Sequence, residues 1–288
     1  MKYRHSFHAG NFADVHKHVT LLSLLRALQK KDKGFLYLDT HAGSGCYDLS
    51  TPTAEARGGV LRLLAAPPQA EEPQAEELQD YRRLLEALHA LPGWRHLYPG
   101  SPIIAARVLR GQDRAVLVEI QGAEAHALGD ALGRLPGEHA QRVRVERGDG
   151  FERLKAFLPP PERRGLTLID PPYEDGREDP AQVSASLQEA LRRFPTGVHA
   201  AWYPIKQERQ AATFVEQCAA QLAVPVLVSE LWLYPRDARL ALNGSGLLIV
   251  NAPWQTLERM QVWLPQLQEC LATGETAGNT ARLLAAPA

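Results

Sequence analysis

Short apolar runs, several of them ending in an acid, alternate along this chain with stretches able to form helices, and no other feature constrains the fold as much. The runs are Phe35-Leu36-Tyr37-Leu38-Asp39, Ala115-Val116-Leu117-Val118-Glu119, Arg142-Val143-Arg144-Val145, Leu166-Thr167-Leu168-Ile169-Asp170 and Val198-His199-Ala200-Ala201-Trp202-Tyr203. Near-continuous apolar runs of this length suit strands covered on both faces, and their alternation with helices predicts an α/β fold with an open, mostly parallel, doubly wound sheet. The end of the chain differs. Pro225 to Tyr234 and Gly246 to Val250 are expected strands, and residues 235–245 between them are too few for a crossover helix, so the two should pair antiparallel. Trp254 to Cys270 can form a closing helix. From Thr273 onward the apolar pattern is too thin to assign an element.

The helical pattern that begins at Asp14 places Val15, His18, Leu21, Leu22, Leu25 and Leu28 on one stripe, so His18 is expected on an apolar side. A simple strand-helix-strand unit brings its second strand roughly 30 residues after the first. Asp39 and Glu119, each at the end of a strand, are 80 positions apart. The excess predicts an insertion at residues 46–98, a small helical subdomain with helices around Glu55–Ala65 and Leu78–Leu91, on the face where the strands end. The expected division is a core of residues 1–45 and 99–271, the insertion at 46–98 and a tail at 272–288.

Lys and Arg number 32 against 33 for Asp and Glu, a net charge of −1, so bulk positive charge cannot hold a nucleic acid. Any such contact must be local. Residues 1–33 carry Lys2, Arg4, Lys17, Arg26, Lys30, Lys31 and Lys33 against Asp14 and Asp32, a formal +5. The compensating run is Glu71, Glu72, Glu76, Glu77 and Asp80. Cys46, Cys218 and Cys270 have no CxxC spacing, which excludes a zinc knuckle and a disulfide framework. Four N-terminal histidines lack a coherent ligand face, so no metal site is expected. With neither a signal peptide nor a membrane-length apolar run, the expected compartment is the cytoplasm.

In an open α/β sheet, ligands bind outside the carboxyl ends of the strands. Asp39, Glu119 and Asp149, the last in Gly148-Asp149-Gly150, stand at such ends, and Thr40-His41-Ala42-Gly43-Ser44-Gly45 forms a small-residue turn after the first strand. A glycine turn admits a ligand closely, one acid can accept both ribose hydroxyls and another can hold an adenine amine. These features suit a cofactor bearing adenosine; the absence of GxGxxG spacing argues against a dinucleotide. The plainer reading is that strand-end acids cap the helices that follow them.

Asp170-Pro171-Pro172-Tyr173 adds a chemistry. Two prolines remove two backbone donors and fix φ, so the Asp170 carboxylate and the Pro171 carbonyl can both face one point as acceptors. A conjugated amine is a poor nucleophile because its lone pair is delocalised. Two acceptors gripping its hydrogens favour a pyramidal nitrogen with its lone pair aimed at an electrophilic methyl. Tyr173 offers a face for a flipped-out base.

DPPY after a strand, with DTHAGSG upstream, resembles the S-adenosylmethionine-dependent amino-methyltransferases. Tyr3 to His18 (YRHSFHAGNFADVHKH), Phe35 to Gly45, Tyr98 to Pro102 (YPGSP), Gly148 to Phe151, Leu168 to Glu174 (LIDPPYE) and Trp202 to Pro204 (WYP) are similar to the ribosomal RNA large subunit methyltransferase J family, from residue 3 to about 254. The resemblance implies a Rossmann-like class I methyltransferase sheet and N6-methylation of one adenine in 23S rRNA, the family's adenine 2030, with S-adenosylmethionine as co-substrate and no metal. It implies Asp170 as the catalytic acceptor. It also implies cofactor contacts at His18, His41, Ser101, Glu119, Asp149 and Gly150 and an RNA contact at Tyr3; the residues themselves add Asp39 and Gly43 to the cofactor set and Arg4, Lys17, Pro171, Pro172 and Tyr173 to the RNA set. The expected partner is 23S rRNA, protein-free or in an early assembly intermediate, met by a monomer and away from any membrane. Residues 65–79 and Ile120-Gln121-Gly122 depart from the family pattern. Two rivals stay open: the same four-residue grip on DNA adenine or a glutamine amide, the amide enzymes more often carrying Asn at the first position, and an RNA-binding scaffold that has lost catalysis.

Overall fold

Leu36 to Asp39 is wholly buried because β1 (Leu36–Asp39) lies mid-sheet, parallel to β4 (Arg114–Glu119) on one side and β6 (Gly165–Ile169) on the other. The computed structural model describes residues 8–66, 74–137, 142–173 and 180–286. Outward from β4 lies β5 (Val143–Arg147), and outward from β6 lies β7 (Val198–Ile205), all parallel. The chain thus builds one wing of the sheet and then crosses to the other, which makes the β1/β6 boundary the topological switch point where such sheets bind ligands.

Beyond β7 the direction reverses as expected. β9 (Gly244–Val250) inserts antiparallel between β7 and β8 (Val226–Trp232). The order is β10-β8-β9-β7-β6-β1-β4-β5. Its outermost member, β10 (Gly278–Leu284), pairs antiparallel with β8 in the segment where sequence pattern assigned no element. An edge strand covered on one side needs few apolar residues, and its backbone bonds come from β8, so GNTARLL carries little period-2 signal.

Helices α7 (Gly150–Phe157), α8 (Pro180–Arg193) and α9 (Glu208–Leu222) cover one face. The other face is covered by α1 (Phe12–Gln29), α5 (Ser101–Val108), α6 (Gly122–Gly133) and α10 (Thr256–Leu271). Helix α1 starts where Asn11 accepts the Asp14 N–H at 2.9 Å, one of the orphan donors of a first turn. It is not the one-sided helix its leucine stripe suggests. Fourteen of its 18 residues are buried, because it lies between β6 and β9 beneath and α4 (Glu76–His89) above. His16, Lys17 and His18 are therefore interior groups.

Residues 46–98 hold α2 (Ala54–Gly58), α3 (Val60–Ala65) and α4, with a small antiparallel ladder of β2 (Cys46–Asp48) and β3 (Leu97–Pro99) that the sequence did not announce. Leu78, Tyr81, Leu85 and Leu88 of α4 enter the same apolar cluster as α1 and the sheet. Of the acidic run, Glu76 and Glu77 meet Arg259 of α10 and Asp80 meets Arg26 of α1, while Glu71 and Glu72 lie outside the described residues.

Two core histidines give stability a pH dependence. His16 lies between Ser245 (2.9 Å) and Ser229 (2.8 Å), and burial pushes its pKa down to about 3. His199 Nε2 donates to the Phe194 carbonyl at 3.0 Å, and burial lowers its pKa to about 4. In the unfolded chain both titrate near 6.5, so below that pH unfolding takes up protons the native state refuses. This stability is full above about pH 6.5 and falls with acid by about 1.4 kcal/mol per pH unit per histidine, until the native groups protonate. His199→Gln retains an amide donor for Phe194, so urea unfolding at pH 7.5 and 5.0 should show a smaller acid loss than wild type. An equal loss in both would remove His199 from the account.

Candidate active site

The switch point sets two carboxylates side by side. Asp170 follows β6, with its side chain 12% exposed, and Asp39 closes β1 with none. Pro171 is buried and Pro172 half-buried. Lys17 descends from α1 onto Asp170: its Nζ is 2.6 Å from Asp170 Oδ2 and 2.9 Å from Asp14 Oδ1, and it stands 5.4 Å over the Trp202 ring. Burial works against this ammonium, but the charges of Asp14 and Asp170 outweigh it and hold its pKa above the ordinary lysine value. A residue expected from sequence in a basic surface stretch is instead 4% exposed. Arg26 is paired with Asp80, Lys30, Lys31 and Lys33 sit at the far end of α1 from the site, and Lys2, Tyr3 and Arg4 lie outside the described residues.

Tyr173 is fixed from two sides. Its hydroxyl donates to the Trp202 carbonyl at 2.7 Å, and its ring meets the Trp202 indole edge-on at 5.4 Å. The indole N–H donates to Ser245 Oγ at 2.9 Å, the serine that also binds His16. Sequence reasoning picked out Trp202 only as part of a motif. It missed Asp14 as the second anchor of Lys17, although their i,i+3 spacing on a helix was a usable signal.

On the other side of β1, the turn at 40–45 carries Gly43 at φ +62° and Gly45 at φ +81°, conformations that L side chains rarely adopt. The Gly43 N–H donates to Glu119 Oε2 at 2.8 Å, and the Gln121 N–H to Glu119 Oε1 at 2.8 Å. Burial raises the Glu119 pKa against these two bonds. Gly150 is dictated by contact, since a Cβ there would stand 1.9 Å from the Thr40 carbonyl oxygen. The start of α7 therefore abuts the β1 turn, and Asp149 caps it by accepting the Phe151 N–H at 2.8 Å.

Asp39 proves to be a hub. Its Oδ2 accepts from Tyr37 and Ser101, both at 2.7 Å, and its Oδ1 accepts the His41 N–H at 3.3 Å. Burial, with help from the charge of Asp170, pushes its pKa up to about 6 against the lowering effect of those donors. His41 packs edge-on to Phe151 at 4.7 Å, and burial lowers its pKa to about 4, so the ring is neutral near pH 7. His18 is 2% exposed, with Nδ1 2.8 Å from the Tyr98 hydroxyl, which is 3.1 Å from that of Tyr81. It backs the β2–β3 ladder from inside. Of the expected cofactor set, the structure brings Asp39, His41, Gly43, Ser101, Glu119, Asp149 and Gly150 together around one turn, while His18 stands behind it. Among the described residues no group of three His, Cys, Asp or Glu is placed to hold a metal ion, and no helix is long and apolar enough to cross a membrane.

Carboxylate, hydroxyl and neutral imidazole acceptors around a glycine turn match the hydroxyls and amine of an adenosyl group, and Asp170 stands across the switch point from them. This sheet is that of a class I, S-adenosylmethionine-dependent methyltransferase. More narrowly, residues 32–283 match the family model described as Ribosomal RNA large subunit methyltransferase D, RlmJ, and the chain belongs to that family. It is 40% identical over 280 residues to the ribosomal RNA large subunit methyltransferase J of Escherichia coli K12, and 37% identical over 284 residues to that of Haemophilus influenzae Rd, with 97% of each chain covered in both cases. A crystal structure of a Legionella pneumophila protein superposes with a TM-score of 0.82 at 32% identity, covering 97% of this chain and 98% of that one.

Proposed function

We propose that the protein methylates N6 of a single adenine in 23S rRNA, the family's adenine 2030. Family membership supports methylation of large-subunit rRNA, and the observation that carries the choice of an exocyclic amine is the Asp170 carboxylate, held by Lys17 at the switch point beside an immobilised Tyr173. S-adenosylmethionine, when bound, supplies an electrophilic methyl on a sulfonium. Glu119 would accept the ribose hydroxyls, and Asp149 with Gly150 would face the cofactor's adenine. Ser101, His41 and the Gly43 turn would hold the remainder, with Asp39 fixing Ser101 and the His41 backbone from behind. His18 would act through Tyr98.

Lys17 occupies Asp170 Oδ2, which leaves the other carboxylate oxygen for a hydrogen of the adenine amine. The Pro171 carbonyl takes the second hydrogen, and Tyr173 stacks on the extruded base. As the new C–N bond would form and the methyl–sulfur bond break, releasing S-adenosylhomocysteine, the nitrogen would become cationic beside Asp170 and its surplus proton would pass to solvent. Much of the rate comes from positioning.

Transfer of labelled methyl to protein-free 23S rRNA, duplex DNA and a glutamine-bearing release factor tests the substrate class. Digestion of the RNA to nucleosides should then release the label as N6-methyladenosine. Label confined to DNA or protein, or recovered in another nucleoside, would overturn the proposal.

A further inference from the structure

Among the described residues, the cations of the N-terminal stretch are buried, paired or at the far end of α1 from the site. β7, β8 and β9 end in register, with Ile205 and Trp232 both opposite Gly244, so residues 233–243 project from the same face as Asp170. This connection carries Tyr234, 39% exposed, and Leu240, 50% exposed, together with Arg239, which has no partner among the described residues. The neighbouring start of α9 adds Arg209, also exposed and unpaired there. Arg236 is different, because Glu208 and Glu230 bind its guanidinium.

The connection is held in one shape. Asn243 is fully buried, and its side-chain amide lies 2.8 Å from the Lys206 carbonyl, 3.2 Å from that of Arg236 and 2.7 Å from that of Ala238. Its backbone N–H donates to Ile205 at 2.9 Å. Lys206 in turn donates to the Tyr173 carbonyl at 3.4 Å, so one residue separates the clamp from the DPPY motif. From the other side, the Tyr234 ring meets Phe12 edge-on at 6.4 Å. Phe12 opens α1 five residues before Lys17, about 7.5 Å along the helix axis.

An exposed aromatic and an exposed aliphatic group beside one unpaired arginine on a preorganised loop, with a second arginine on the adjoining start of α9, suit an unstacked RNA strand: bases stack on aromatic faces while guanidinium groups take phosphates. We propose that residues 233–243 hold the single-stranded RNA flanking the target nucleotide, with Tyr234 as the stacking face and Arg239 and Arg209 as phosphate contacts. The proposal rests on RNA being the substrate.

The test measures steady-state methylation of a 23S rRNA fragment, its binding across a salt series and S-adenosylmethionine binding by calorimetry. Tyr234→Ala should raise the KM for RNA about tenfold with kcat within twofold, and Tyr234→Phe should restore it. Arg209→Ala with Arg239→Ala should weaken RNA binding and flatten its salt slope by about 1.4. Lys30→Ala with Lys31→Ala, at the opposite end of α1, should change neither, and the cofactor affinity should hold in every variant. Wild-type affinity and slope in the Tyr234 and arginine variants would overturn the proposal, as would an equal effect at Lys30 and Lys31. So would a defect seen only on ribosomal particles, which would put a protein on the loop. Failure of the wild-type protein to methylate any RNA would be a separate result, sinking the substrate reading itself.

Discussion

Asp170→Ala should lower the single-turnover rate of methyl transfer roughly 10³-fold while the S-adenosylmethionine affinity measured by calorimetry stays within about twofold. The separation is expected because, among the described residues, Asp170 is bound by Lys17 and not by Gly43, Glu119, Asp149 or Ser101, the groups assigned to the cofactor. Stability should fall only modestly, since Lys17 keeps Asp14 at 2.9 Å. Asp170→Asn is the sharper variant. One arm of its amide must face Lys17 and the other the adenine amine, and both of those are donors. Whichever way the amide turns, its NH2 opposes a donor, so Asn should be nearly as inactive as Ala. The Asn more often seen at this motif position in amide-methylating enzymes is thus a poor fit beside a lysine. A rate within tenfold of wild type for Asp170→Asn would mean that the carboxylate is not the acceptor that orients the amine.

The sheet was legible because β1, β4, β6 and β7 are buried on both faces and so carry nearly unbroken apolar runs, and the short 235–245 connection announced the reversal at β9. The DPPY turn and the glycine turn were legible for a related reason: local backbone geometry dictates the residue types, as the positive φ of Gly43 and Gly45 illustrates. What sequence concealed was set by tertiary packing. A leucine stripe marks one apolar side of α1, but nothing local says that α4 covers the other, and so the charges of Asp14 and Lys17 looked like surface groups. β10 was hidden because its hydrogen bonds come from β8 rather than from any pattern of its own. The pairing of Glu76, Glu77 and Asp80 was hidden because their partners, Arg259 and Arg26, are remote in the chain.

Lys17→Met carries the second large effect, and its direction separates a buried clamp from a surface RNA contact. Removing a buried cation leaves the Asp14 and Asp170 side chains, 5% and 12% exposed, without the cation they share. Breaking such a pair from one side costs about 3–5 kcal/mol, whereas deleting an exposed lysine typically changes stability by less than about 0.5 kcal/mol. Urea unfolding should therefore show a large loss. Adding Asp14→Asn should recover part of it by removing one stranded charge, yet methylation should stay impaired because Asp170 still lacks the cation that holds Oδ2 in place. Lys17 touches carboxylates rather than solvent, so the salt slope of RNA binding should match wild type in whatever fraction remains folded. A phosphate contact would instead flatten that slope by about 1. A Lys17→Met protein of wild-type stability with a flattened slope would move Lys17 from the catalytic clamp to the RNA surface. It would also remove the reason for assigning Asp170 one free carboxylate oxygen.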